Sequence, residues 1–303
     1  MTKRIAAALV VLLAVGASAQ RQRPGPATAD LVELDIVALD RDDQPVTDLR
    51  QDEFTVKEDG RVVELKTFAR VTALGSAQPD DGRVVVLLMD DIGVPVTGTS
   101  PMQRIAPAVL SPLGDGDEVS VVRLSNRSDE AFGDVATARD RIDGYRGGAV
   151  PFSRRDTAEA VLKAIAKIAR QLEPIDHRRK VILCLGLPLV CDVGEPQLGG
   201  TSVLWPAWVA AIDAAARANV SVYCVDPTGA MGGLSLSGNG LVQLTGGRIF
   251  HENDFSLAAK AIWREAGHYY LLGYWPAASK RELRSIDVHV ARKGVHVRAR
   301  QRR

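Results

Sequence analysis

The chain has little of what metal cages, redox centres and disulfide scaffolds are built from. Its 303 residues include three cysteines and five histidines. No C-x-x-C pair occurs, which argues against a zinc cage or a dithiol redox motif. Cys184 and Cys224 fall in predicted buried strands and Cys191 on a predicted loop. Three free thiols, or one bridge joining Cys191 to either of the others, remain equally open. His177, His251, His268, His289 and His296 are scattered, without H-E-x-x-H or another metal-binding spacing. Neither sign of charge dominates: the net charge is +1, so global basicity does not point to nucleic acid. No internal apolar run approaches the roughly 20 residues that span a bilayer. A phosphate-binding P-loop is absent. Gly233-Leu234-Ser235-Leu236-Ser237 lacks the last glycine of a nucleophile elbow. Motif by motif, nothing argues for catalysis.

The first residues carry an export pattern. Lys3 and Arg4 precede the apolar run Ile5–Gly16, and Ala17-Ser18-Ala19 supplies small residues before a cleavage point at Gln20. Residues 1–19 are therefore expected to be a signal peptide. The mature protein would be periplasmic or secreted, without a membrane span after cleavage. Residues 20–29, rich in proline and polar side chains, read as a linker.

Three blocks follow. Residues 30–75 are β: Leu31–Leu39 alternates as a half-buried strand, and Phe54–Glu58 and Val62–Phe68 flank an Asp59-Gly60 hairpin turn. Residues 82–266 alternate strand and helix. The strands are Val84–Met89, Glu118–Leu124, Lys180–Leu185, Val220–Val225 and a short one near Arg248–Phe250. The helices lie around Met102–Leu110, Thr157–Leu172, Trp208–Ala218 and Phe255–Glu265. The second helix has Val161, Leu162, Ile165, Ile168, Ala169 and Leu172 on one stripe, with Asp156 and Glu159 spaced as a capping box at its start. Apolar strands alternating with amphipathic helices imply a doubly wound, mostly parallel α/β sheet. Residues 267–303 return to β.

The two β blocks have complementary charge. Asp30–Gly60 holds eleven acidic and three basic residues, and Lys280–Arg303 nine basic and two acidic. They are expected to form one β-sandwich from the N- and C-terminal strands, with the α/β domain inserted between them.

The six-residue run Val84–Met89 ends at Asp90-Asp91. Ligands in open α/β sheets sit at the carboxyl ends of the strands, so these carboxylates mark the candidate face. Asp156 and Thr157 at a helix start, Asp226 after a late strand, and Leu189 and Trp205 on the long apolar stretch Gly186–Pro206 are expected to share it.

Several stretches together resemble the secreted von Willebrand factor A-related proteins of bacteria. They are Gln44–Leu49 with Asp52–Gly60, Val84–Asp91, Asn219–Asp226, Thr245–Phe250 and Tyr269–Tyr274. The resemblance implies a VWA-type, Rossmann-like sheet and, in many members, a divalent cation held by a D-x-S-x-S loop, a threonine and a further aspartate. Here Asp90 takes the first position, but the serine positions are Ile92 and Val94. Thr157 can match the threonine, and no aspartate closes the fourth strand. Such a degenerate metal-ion-dependent adhesion site implies no cofactor, or weak magnesium at Asp90, Asp91 and Thr157. The expected role is non-enzymatic binding or adhesion to a protein partner that the sequence does not identify. The alternatives are a cation-dependent adhesion module and a periplasmic hydrolase using the strand-end carboxylates.

Overall fold

A computed structural model describes residues 31–72, 82–125, 132–148, 154–175, 178–186, 203–226, 240–250, 255–276 and 284–302. The expected signal peptide, the linker, Leu189 and Cys191 lie outside them. In chain order the first strands are β1 (Val32–Leu39), β2 (Phe54–Glu58), β3 (Arg61–Val63) and β4 (Leu65–Thr72). Then come β5 (Val84–Met89), α1 (Thr99–Leu110), β6 (Glu118–Arg123), α2 (Val135–Asp143), α3 (Arg154–Leu172), β7 (Lys180–Leu185) and α4 (Trp205–Arg217). The last elements are β8 (Val220–Val225), α5 (Gly240–Leu244), β9 (Ile249–Phe250), α6 (Phe255–Gly267), β10 (His268–Tyr274), β11 (Ile286–Val290) and β12 (His296–Arg298).

The middle of the chain forms a parallel sheet in the order β6-β5-β7-β8-β9, a mixed α/β, Rossmann-like arrangement. Central β5 shows why its sequence is unbroken apolar. Val84, Val86 and Leu88 enter the core built with α3, α4 and α5, while Val85, Leu87 and Met89 enter the core built with α1, α2 and α6. A strand covered on both faces has no solvent side on which to place polar residues. Burying each such side chain is worth about 1.5–3 kcal/mol.

Two antiparallel sheets, β12-β1-β10-β4 and β11-β2-β3, share a third core containing Leu34, Ile36, Phe54, Tyr270, Leu272 and Ile286. Strands from the two ends of the chain therefore interleave: β1 lies between β10 and β12, and β11 pairs with β2. The opposite charges of these segments meet in ion pairs. Arg292 bonds Asp48 and Glu53, Arg284 bonds Glu58, and His296 and Arg298 approach Asp43. Residues Leu31–Arg303 form one compact unit. Among the described residues no helix is long and apolar enough to cross a membrane.

The structure corrects three local expectations. The run Val62–Phe68 is not one strand: it breaks at Glu64, β3 pairing with β2 while β4 leaves for the other sheet beside β10. The hairpin before it closes on Asp59 and Gly60, both with positive φ (49° and 77°), as a two-residue primed turn requires. Second, β1 is buried along almost its whole length rather than on one face, because its outer side meets the parallel-sheet layer. There the carboxylate of Asp35 accepts hydrogen bonds from the Arg179 guanidinium and from Asn219 Nδ2 (2.8 Å). Arg179 also lies 5.0 Å from the Tyr269 ring centroid, and Arg300 donates to the carbonyls of Ala216 and Glu33. Third, α3 begins at Arg154, so Asp156 sits inside its first turn, where the helix dipole favours a carboxylate, instead of capping it.

Candidate functional site

Asp90 follows β5 directly, and its main chain is fixed on both sides. Its N–H donates to Leu185 O (2.9 Å), and its carbonyl accepts the Tyr145 hydroxyl (2.7 Å). The loop then turns back over the side chain, so that Asp90 Oδ1 accepts the N–H groups of Gly93 (2.6 Å) and Ile92 (3.2 Å). Two glycines make this slot possible. A Cβ on Gly93 would lie 2.5 Å from Asp90 Oδ2 and 2.5 Å from Thr157 Cγ2, and one on Gly186 would lie 2.5 Å from Asp90 Cβ. Real side chains essentially never approach so closely, so both positions are restricted to glycine unless the slot opens.

The second carboxylate oxygen, Asp90 Oδ2, is buried without a hydrogen-bond partner, and so is Thr157 Oγ1. The structure thus brings together Asp90 and Thr157, two of the residues singled out from sequence. Beneath them lies a cavity of about 20 Å³ lined by Leu88, Val161, Cys184, Val222 and Cys224, room for roughly one water. Burial is the main influence on the Asp90 carboxyl and lifts it above the usual carboxylate range; the Gly93 and Ile92 amides offset this in part, and the Asp91 charge adds to it. Burial likewise pushes the Cys184 thiol up to about 12, with Asp90 contributing. Burial raises Tyr145 too, with Asp90 and Asp91 adding to the effect.

The other candidates stand apart. Asp91 turns to β6, where its carboxylate accepts the N–H of Ser125 (2.9 Å) and the Ser125 hydroxyl. Asp156 is exposed on α3. Asp226 is buried at the end of β8, its N–H donating to Phe250 O. With β7 between them, the main chains of Asp226 and Asp90 are about two strand spacings apart, roughly 10 Å. Trp205 is not on a loop: it opens α4 and stacks on Trp208, ring centroids 4.9 Å apart. Sequence reasoning missed Tyr145, Ser125 and the two glycines. Only the glycines carried a signal, through their place in loops that leave strand ends.

The side chains fit a divalent cation poorly. Magnesium demands near-octahedral oxygen coordination and gives up its waters reluctantly. Asp90 Oδ2 and Thr157 Oγ1 are available, Asp91 is committed to Ser125, and the intervening side chains are Ile92, which is partly buried, and Val94, which is 1% exposed in the core. Among the described residues, no group of three or more His, Cys, Asp or Glu side chains is gathered where it could hold a metal ion. Cys184 and Cys224 face each other in register across β7 and β8 as free, buried thiols.

No protein-family model and no curated protein matches this sequence. Among solved structures, the chain is similar to proximal thread matrix protein 1 from the mussel byssus, at 12% identity and a TM-score of 0.41, over 70% of this chain and 50% of that one. It is also similar to the human COPII-coat protein Sec24c, at 8% identity and a TM-score of 0.36, over 73% and 44%. The TFIIH p34 N-terminal domain matches at 12% identity and a TM-score of 0.33, over 62% and 98%. The chain thus spans about half the length of the first two structures it matches.

Proposed function

We propose that this chain is an exported, non-enzymatic protein-interaction module of the von Willebrand factor A type, which binds its partner through the loops at the carboxyl ends of the parallel strands, largely without metal. One observation carries this reading. The loop that would cradle a cation presents Ile92 and Val94 instead of hydroxyls, and its own amides occupy one oxygen of Asp90. The β5 crest is thereby shaped as a structural corner rather than an ion cup. Export rests on the leader-like pattern of residues 1–19, and the non-enzymatic reading on the lack of a recognisable nucleophile–base motif.

The test is titration calorimetry with magnesium, together with capture of partners from the source's envelope fraction with and without chelator. The proposal expects no saturable heat at micromolar magnesium and the same captured partner in both conditions. A micromolar dissociation constant abolished by Asp90→Ala would refute it. That outcome would favour the second reading, a cation-dependent adhesion module, which the two orphaned oxygens of Asp90 and Thr157 support. A gain-of-function variant sharpens the contrast: Ile92→Ser with Val94→Ser should create magnesium binding absent from the parent.

A further inference from the structure

Where the parallel strands begin, α6 and the turn after α1 border an open cleft of about 610 Å³ shared with the segment between β1 and β2. Its walls are Gln44, Pro45 and Thr47 on one side and Pro112, Lys260, Trp263, Arg264 and His268 on the other. The floor is rigid. Trp263, 1% exposed, donates its indole N–H to Val109 O and carries the Arg83 guanidinium 5.0 Å from its ring centroid. Arg83 in turn bonds both carboxylate oxygens of Asp117 and reaches Pro112 O. Since Arg83 precedes β5 and Asp90 follows it, the cleft lies about 20 Å from the Asp90 corner, at the opposite end of the sheet.

The cleft's charge is one-sided. Lys260, Arg264 and His268 line it, and no acidic side chain does. Among the described residues neither Lys260 nor Arg264 has an ion-pair partner, although Arg179, Arg248, Arg284 and Arg292 do. His268 Nδ1 is buried without a hydrogen-bond partner. The acidic member of α6, Glu265, points elsewhere, toward Arg248 and Arg298. The spacing is also particular. Residues four apart on a helix are about 6 Å apart along its axis, close to the roughly 6.6–6.8 Å between alternate side chains of an extended chain.

We infer that this cleft is a docking groove for an extended acidic peptide segment of a protein partner, whose alternate carboxylates meet Lys260 and Arg264 while its backbone lies between Pro45 and Pro112. Thr47 and Gln44 supply hydrogen-bonding groups on the facing wall. A single small anion would engage one cation and leave the rest of an open groove of this size to solvent; an extended chain covers both charges and the proline walls.

The test is fluorescence anisotropy with a fluorescein-labelled octapeptide of alternating Glu and Ser, its Gln-for-Glu counterpart, and free glutamate as competitor. The Glu peptide is expected to bind saturably and the Gln peptide at least tenfold more weakly. Raising salt from 50 to 300 mM is expected to weaken the Glu peptide severalfold. Lys260→Glu with Arg264→Glu should reduce affinity at least tenfold at an unchanged melting temperature. If that variant is unstable, Lys260→Gln with Arg264→Gln is read in its place, with a threefold or greater loss expected. Equal affinity for the two peptides, or insensitivity to both double substitutions, would overturn the inference. So would displacement by free glutamate at concentrations comparable with the peptide, which would make the cleft a small-anion pocket.

Discussion

Removing the Asp35 carboxylate should markedly loosen the junction between the β sheets and the parallel-sheet layer. The Arg179 and Asp35 side chains are 1% and 6% exposed. Burial by itself works against the Arg179 charge, and the Asp35 carboxylate more than compensates, holding the guanidinium firmly protonated. In Asp35→Ala the guanidinium loses its carboxylate partner, keeping the Tyr269 ring face and the nearby Tyr223 and Glu265, and Asn219 Nδ2 loses its acceptor. Breaking one member of a buried pair typically costs about 3–5 kcal/mol, because the remaining charge stays desolvated. At about 2–4 °C per kcal/mol for a chain of this size class, the melting temperature should fall by roughly 6–20 °C. Urea unfolding followed by circular dichroism gives the same quantity from the midpoint. A second variant separates a stranded charge from a lost contact: Asp35→Leu with Arg179→Met removes both charges at similar volume and should recover most of the loss. A single-variant cost below about 1 kcal/mol, or a double variant no better than the single, would refute the reasoning. The junction would then be wet and the pair marginal.

Asp90→Asn should behave differently at the two ends of the pH scale. The folded state holds the Asp90 carboxyl above its ordinary range, so folding favours the proton, and the wild type loses stability as pH rises from about 4 through the folded value. Asparagine keeps an acceptor for the Gly93 amide without this loss. Thermal melts should therefore show the variant gaining on the wild type between pH 4 and 8; the opposite trend would count against a desolvated carboxylate there. For Asp117, burial opposes ionisation but the Arg83 hydrogen bonds and the local amides outweigh it, setting the carboxyl below its usual range. Its stabilisation is present at neutral pH and disappears as pH falls below about 4, so Asp117→Asn should be less stable at pH 7 with a shallower acid limb in urea midpoints. In Cys184 and Cys224 burial raises both thiols; both should react slowly with a chromogenic disulfide reagent in the native state and fully in denaturant, and fast native reaction of both would contradict the packing.

The parallel sheet was readable from sequence because its strands obey the strongest rule available. Val84–Met89 and Lys180–Leu185 are sandwiched between helices, and their unbroken apolar character follows from that alone. The helix α3 was equally plain from its stripe. The helix α2 went unread because its buried face is only Ala138 and Ile142, too sparse for periodicity. Its signal was instead the N-cap, Asp134 accepting the Thr137 N–H at 2.7 Å. The alternation of β1 suggested a solvent-facing side containing Asp35. No local pattern reveals that an arginine at 179 would come to cover it, since that pairing spans 144 positions. At the candidate site, Asp90 could be found by its place at a strand end and Thr157 by family likeness. That Asp91 would turn away to Ser125 depends on which strand lies beside β5, and this is a property of sheet order.

The placement of β1 between β10 and β12 has a kinetic consequence. A ribosome emitting about 5–20 residues per second delivers β1 early, yet its neighbours emerge well over two hundred residues later. The doubly wound layer, whose strands β5 to β9 all lie between those two ends, has its pairing partners at hand sooner. β1 must wait with both edges open until β10 and β12 have emerged. Loop closure over such separations makes the last assembly step the slow one, and during that interval the waiting strand is the part of the nascent chain most in need of a chaperone.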